Sequence, residues 1–190
     1  MVATMPAPSA DHILIADYDP AWPRLFEDER LRLKAAIGKW AIAIVHVGST
    51  AVPGLAAKPI IDIGIALTSL EDALKCITPL FELGYQCLGE YGIPGRIFFR
   101  KVTDAPAPGQ APNGVGRTHH VHMYQQDHYE FVQQTLFRDY IRSHPAAARE
   151  YDQVKRRLAQ EHSDMNEYAM AKSDFVQNIL ARARGSRSGA

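Results

Sequence analysis

The chain has 190 residues, 46% of them apolar, and its 21 Lys and Arg are matched by 21 Asp and Glu. That length suits one domain, and the zero net charge excludes the basic excess by which proteins hold duplex nucleic acid through its phosphates. The N-terminal residues lack the pattern of a secretory signal, no apolar run reaches the roughly 18 residues of a membrane helix, and Cys76 and Cys87 form no CxxC pair. A cytoplasmic protein without membrane attachment is therefore expected.

In chain order, His12–Ala16 predicts a first strand, and Pro20 and Pro23 open a helix with Trp22, Leu25, Phe26, Leu33 and Ile37 on one face. Ala41–Val47 and Ile60–Leu67 are apolar and β-branched, which predicts two buried strands joined by the turn GSTAVPGLAAKP. Ser69–Leu83 has helical spacing at Leu70, Leu74, Ile77 and Leu80/Phe81, and Gly84 ends it. Tyr85–Leu88, Arg96–Val102 and Thr118–Tyr124 follow as strands, with the Pro- and Gly-rich segment 104–117 as a loop between the last two. Asp127–Ser143 and Ala146–His162 are helices separated at His144-Pro145, and a last helix starts near Ser163–Asn166. This order defines an α+β fold, a mixed β-sheet with a helical C-terminal half packed on it. Residues 12–182 form the single domain, and 1–11 and 183–190 are expected to be flexible tails.

Chemistry concentrates first in HVGSTAVPGLAAKPIIDIGIAL, residues 46–67. Gly48 permits close backbone approach to a ligand. Ser49 and Thr50 add hydroxyls beside N–H groups that can form an anion-binding nest. Lys58 can reach a phosphate as a point charge. Asp62 sits among Ile60, Ile61, Ile63 and Ile65, where a carboxylate needs a cation or donor to meet it. The plainer alternative is a Gly-Ser turn and an aspartate that caps a neighbouring helix. His120 and His122 share one strand face with Tyr124, which suits a metal, a phosphate or a proton shuttle, or merely a half-exposed strand. Arg96 and Arg100 alternate with Phe98 and either meet an anion or are solvated. Tyr151/Lys155 and Tyr168/Lys172 are i, i+4 pairs that either line an anionic pocket or lie on a helix surface. The chain has no GxxxxGK[ST], GxSxG or HExxH motif, which excludes a P-loop NTPase, an α/β-hydrolase and a zincin helix.

HVGSTAVPGLAAKPIIDI closely resembles the signature segment of the GrpB family, whose fold is similar to that of the nucleotidyltransferases. DYDPAW (17–22), GEYGIPGRIFFRK (89–101), His120-Val-His122, FRDYIRSHP (137–145), YDQVK (151–155) and YAMAKSDF (168–175) extend the likeness from about Ile13 to Arg182. The resemblance implies a nucleotidyltransferase-like sheet in which a Gly-Ser contacts nucleotide phosphate and carboxylates hold divalent ions. Gly48-Ser49 and Asp62 match that pattern, whereas the second carboxylate position is Gly64 and the later strand offers His120 and His122. Two readings follow. One is a metal-assisted nucleotidyl or phosphoryl transfer from a nucleotide to a small acceptor. In it Asp62, His122 and Lys58 are catalytic, and Gly48, Ser49, Thr50, Arg100, Lys155 and Lys172 hold phosphate. Asp62, His120 and His122 then bind Mg²⁺ or Mn²⁺, before Zn²⁺. The other is a non-catalytic module for a nucleotide or a coenzyme A precursor, since family members can be fused to dephospho-CoA kinase. A protein-interaction domain is a weaker third reading. In either leading case the pocket is expected between Gly48/Asp62 and the C-terminal helices, with Asp62 and His122 on one sheet face.

Overall fold

The computed structural model describes residues 13–103 and 116–187. Among them α1 (Trp22–Ile37) leads into β1 (Ala41–Val47), a single 3₁₀ turn (Ser49–Ala51) and β2 (Ile61–Leu67). Then come α2 (Asp72–Glu82), β3 (Tyr85–Cys87), β4 (Ile97–Thr103) and β5 (Gly116–Gln125). The C-terminal half holds α3 (Tyr129–Ser143), α4 (Pro145–Glu161), α5 (Met165–Ala171) and α6 (Ser173–Arg187). The five strands form one mixed sheet in the order β1-β2-β5-β4-β3, with β2 and β5 parallel and the other neighbours antiparallel. The parallel pair requires a long crossover, supplied by α2, β3 and β4.

Strand alternation sorts the sequence into two faces. Ile61, Ile63, Ile65 and Leu67 of β2, Val121 and Met123 of β5, and Phe99 of β4 are buried together with Trp22, Leu33 and Ile37 of α1 and Ala73, Cys76 and Leu80 of α2. Each such side chain contributes roughly 1.5–3 kcal/mol on burial. Asp62 therefore does not lie among the isoleucines that flank it in sequence. It projects from the opposite face, in register with His120, while Gly64 is in register with His122. The C-terminal helices cover that second face, and Val52 and Leu55 of the β1–β2 connection pack with Ile141, Tyr151 and Ile179.

The structure differs from expectation at several elements. The proposed first strand is reduced, among described residues, to one bridge between Ala16 and Ala57. Residues 104–115 of the proposed loop lie outside the described residues, as do residues 1–12 and 188–190, and 116–117 already belong to β5. Leu25, Leu74 and Phe81 are 41%, 65% and 72% exposed and do not join the core. On α2 the buried stripe is Ala73, Cys76 and Leu80, smaller residues that let the helix seat closely on the sheet. Glu29 takes the place given to Leu25 on α1. It is buried, accepting from Tyr85 Oη at 2.9 Å and Lys101 Nζ at 2.7 Å, partners that a buried carboxylate needs. The last helix is two, broken at Lys172, and α6 continues to Arg187, past the expected start of a tail at 183.

Candidate functional site

β1 ends where the chain must turn tightly, and Gly48 supplies that turn with φ 71° and ψ −172°, a region open essentially to glycine alone. A Cβ at position 48 would lie 2.6 Å from Asp62 Oδ2. The glycine thus admits the Asp62 carboxylate against the backbone. The other carboxylate oxygen, Oδ1, lies 3.3 Å from His120 Nδ1 and 3.5 Å from His122 Nε2. One ligand atom from each of the three residues falls within 4.8 Å of the others. Side chains of all three are partly covered, with Asp62 the most accessible at 31%. Burial pushes the Asp62 carboxyl up, but the hydrogen bonds of His120 and His122 outweigh it and hold the group well below the usual carboxylate range.

Arg96 joins this cluster from the turn before β4. It is buried, and its Nη1 lies 3.4 Å from His122 Nδ1. A guanidinium has donors only, so Nδ1 is the acceptor and the neutral ring carries its proton on Nε2, the nitrogen facing Asp62. Burial pushes the His122 pKa down, against the pull of Asp62, which suits a neutral imidazole. The solvated alternative for Arg96 is thereby displaced by a placement beside His122.

Two lysines approach from the helical side. Lys58 Nζ and Lys172 Nζ stand 5.5 Å and 4.2 Å from the centre of the same buried Tyr168 ring. Burial lowers both ammonium pKa values, Lys172 to about 8, where the charge of Lys58 adds to the effect and Asp62 opposes it. Tyr151 is buried, hydrogen-bonds Ser49, and stacks on Phe175 with centroids 5.2 Å apart. The Tyr/Lys pairs therefore face inward and are not a solvated helix surface.

Lys155, Thr50, Arg100 and Glu90 are engaged elsewhere. Lys155 is buried over Tyr151 and donates to the Ala56 carbonyl, whose own N–H donates to Asp152 Oδ1 at 3.2 Å. It holds the β1–β2 connection. Thr50 is buried, paired with His46 Nε2 at 3.0 Å and donating to the Ile60 carbonyl. Arg100 shares the sheet face and is in register with His120, but its Nε turns to Gln86 Oε1 on edge strand β3. Glu90 accepts from Gly95 N–H at 2.7 Å and closes its own turn. Gly48 and Ser49 line a cavity of about 180 Å³ with Gln133, Gln134, Phe137 and Tyr151. A larger cleft of about 700 Å³, between Val52–Leu55 and the α3–α4 junction, contains none of the cluster residues.

The chain is an α+β protein whose mixed sheet bears an Asp/His/His cluster beside a Gly-Ser turn, under helices that carry paired Tyr and Lys. The family model described as "GrpB protein" matches residues 12–182, and the chain belongs to this family. It is 39% identical over 173 residues to the UPF0157 protein YqkA of Bacillus subtilis, covering 90% of this chain and 47% of that protein. The solved conserved protein GrpB from Enterococcus faecalis superposes with a TM-score of 0.78 at 36% identity, over 92% of this chain and 99% of that one. A dephospho-CoA kinase of Mycolicibacterium paratuberculosis is 30% identical over 188 residues, 87% of this chain but 44% of that protein. The chain thus spans about half the length of some of its curated relatives. Among the described residues no helix is long and apolar enough to cross a membrane.

Proposed function

We propose that the protein is a metal-assisted transferase that moves a nucleotidyl group from a nucleoside triphosphate to a small acceptor. The observation that carries this reading is the convergence of Asp62, His120 and His122 on one sheet face against Gly48. The donor set fits one divalent ion. A carboxylate with an imidazole shifts preference from Mg²⁺ toward Mn²⁺ or Zn²⁺. His122 fits less well than the other two, because metal-bound imidazoles ordinarily donate their second N–H to an acceptor, and here Nδ1 meets Arg96. Asp62 and His120 are the primary ligands in this reading. The bound ion supplies charge neutralisation at the reacting phosphate.

The chain's own residues supply the rest. The Ser49 hydroxyl and the amides of the 3₁₀ turn bind phosphate oxygens, and Lys58 and Lys172 offset the charge that accumulates on the leaving pyrophosphate. His122 keeps its proton at Nε2 and holds Asp62 in place. In this reading it acts as a positioning residue, one of the roles that its place beside Asp62 leaves open. The acceptor oxygen forms a bond to the α-phosphorus as the bond to the bridging oxygen breaks; pyrophosphate leaves, and the acceptor's proton passes to solvent water. Lys155 supports the reading indirectly, through its hold on Ala56 two residues before Lys58.

Asp62→Asn tests the reading in purified protein with radiolabelled nucleotides and Mn²⁺. Loss of transfer with retained folding is expected, and unchanged transfer overturns the mechanism. The second reading is a binding module for a nucleotide or coenzyme A precursor. It is favoured by Gly64, where a Cβ would already meet Phe131 Cε2 at 3.3 Å, so that a second carboxylate would have to push this ring aside. Tight nucleotide binding without turnover under any divalent ion would select it.

A further inference from the structure

Tyr91 is the one non-glycine among the described residues with a positive φ, 46°. It sits in the turn GEYGIPG between Gly89 and Gly92, and it is 58% exposed. A bulky residue held in the left-handed region is disfavoured, and such strain persists only where the surroundings fix it. Here one guanidinium does the fixing. Arg96 Nη2 donates to the Tyr91 carbonyl at 2.6 Å and Nε to the Glu90 carbonyl at 3.2 Å, while Nη1 reaches His122. Glu90 closes the turn from the other side through Gly95 N–H. The turn is thereby tied to the Asp/His/His cluster by a single buried side chain.

The ring of Tyr91 lies parallel to Phe98, at an interplanar angle of 18° and a centroid distance of 5.1 Å. Phe98 is buried and touches both imidazoles, with centroids 5.1 Å from His120 and 5.0 Å from His122. Its strand is two places from β2 in the sheet, so Asp62 and the aromatic pair are separated by roughly 10 Å at the usual strand spacing. An aromatic face that is rigid, exposed and that far from a phosphate-neutralising centre matches the reach of a nucleotide from phosphate through ribose to base.

We propose that Tyr91, backed by Phe98, is a stacking platform for the planar ring of the ligand, a nucleobase. This rests on the phosphate-site reading above and adds the group that distinguishes a nucleotide from a bare polyphosphate. Stacking on one aromatic face tolerates any base, since each has a π-face.

Isothermal titration of ATP and of inorganic tripolyphosphate, both with Mn²⁺, tests the assignment. Tyr91→Gly removes the ring and relaxes the backbone, and Tyr91→Phe keeps the ring at the same φ as the wild type, so neither variant adds backbone strain. The wild type and Tyr91→Phe are expected to bind ATP about ten-fold or more tightly than tripolyphosphate. Tyr91→Gly is expected to lose that margin and retain tripolyphosphate binding. ATP binding unchanged in Tyr91→Gly, or ATP and tripolyphosphate weakened equally, overturns the platform. Failure of both ligands to bind the wild type overturns the phosphate site itself, and the platform with it.

Discussion

Gly48 and Asp62 approach so closely that a Cβ on residue 48 would lie 2.6 Å from the aspartate Oδ2. The carboxylate cannot retreat easily, because its Oδ1 faces His120 and His122. Gly48→Ala is therefore expected to act twice, through a φ of 71° and through displacement of Asp62. The first effect costs about 1–3 kcal/mol. Gly54 separates the two, since its φ is 76° but a Cβ there meets nothing within 4 Å. Denaturant unfolding should show both variants destabilised, Gly48→Ala more than Gly54→Ala because only its Cβ meets Asp62. Only Gly48→Ala should also lose Mn²⁺ binding in titration calorimetry.

His46 sets a pH dependence of stability. It is buried, stacks on Phe26 at 4.6 Å and pairs with Thr50. Burial lowers its pKa from 6.5 to about 4, with Arg142, Arg138 and His119 adding to the effect and Asp62 opposing it. Between those values the unfolded chain binds the proton and the folded chain does not. The contribution is thus complete above pH 6.5 and is lost progressively as pH falls toward 4, with a ceiling of about 3 kcal/mol. His46→Gln preserves a hydrogen-bonding partner for Thr50 without titrating. Its unfolding free energy should fall less steeply than that of the wild type between pH 6.5 and 4, and equal slopes would exclude His46 as a source.

Much of the architecture was legible in the sequence because it rests on local rules. The apolar, β-branched run of β2 and the proline at the start of α4 each led to the right element. The depth of Lys155 and the exposure of Leu74 were not legible, since they depend on which helix packs over which strand. Asp62 illustrates the same limit. Its isoleucine neighbours in sequence occupy the other face, and its real neighbours, His120 and His122, come from a strand paired only after a long crossover. Arg96 was legible as a candidate only conditionally, because its contact with His122 depends on a turn of positive-φ residues that periodicity does not register. The position of Tyr91 over Phe98 carried no period at all, and the signal for it was the density of glycines around it.

On the nucleotide reading, Lys172 should make affinity depend on pH, in the sense opposite to the effect of His46 on stability. Burial holds its pKa at about 8, and only the ammonium form offsets phosphate charge. Affinity for ATP is expected to fall as pH rises through 8 to 9. Lys172→Met should bind ATP more weakly at pH 7 and show a flatter profile, because the neutral thioether does not change over that range. Titration calorimetry at pH 7, 8 and 9 reads both effects. A profile in Lys172→Met as steep as that of the wild type would assign the dependence to another group.

Gly64 tests the one-ion reading of the site proposed above. A Cβ there would lie 3.3 Å from Phe131 Cε2, 3.3 Å from Val47 Cγ1 and 3.4 Å from Val45 Cγ2, so any side chain added there must push these neighbours aside. Gly64→Asp should destabilise the fold by about 1–3 kcal/mol through overpacking, with a further penalty for the charge placed against an aromatic ring. Phe131→Ala alone should also destabilise, by opening a cavity. Together the two changes relieve one another, so the double variant should be more stable than the sum of the single effects predicts, as expected for residues in contact. The double variant also restores two carboxylates at i, i+2 on β2. Mn²⁺ titration should then rise from one ion per chain in the wild type to two. Additive destabilisation, or a second ion bound by the wild type, would show that Phe131 is not what restricts the site.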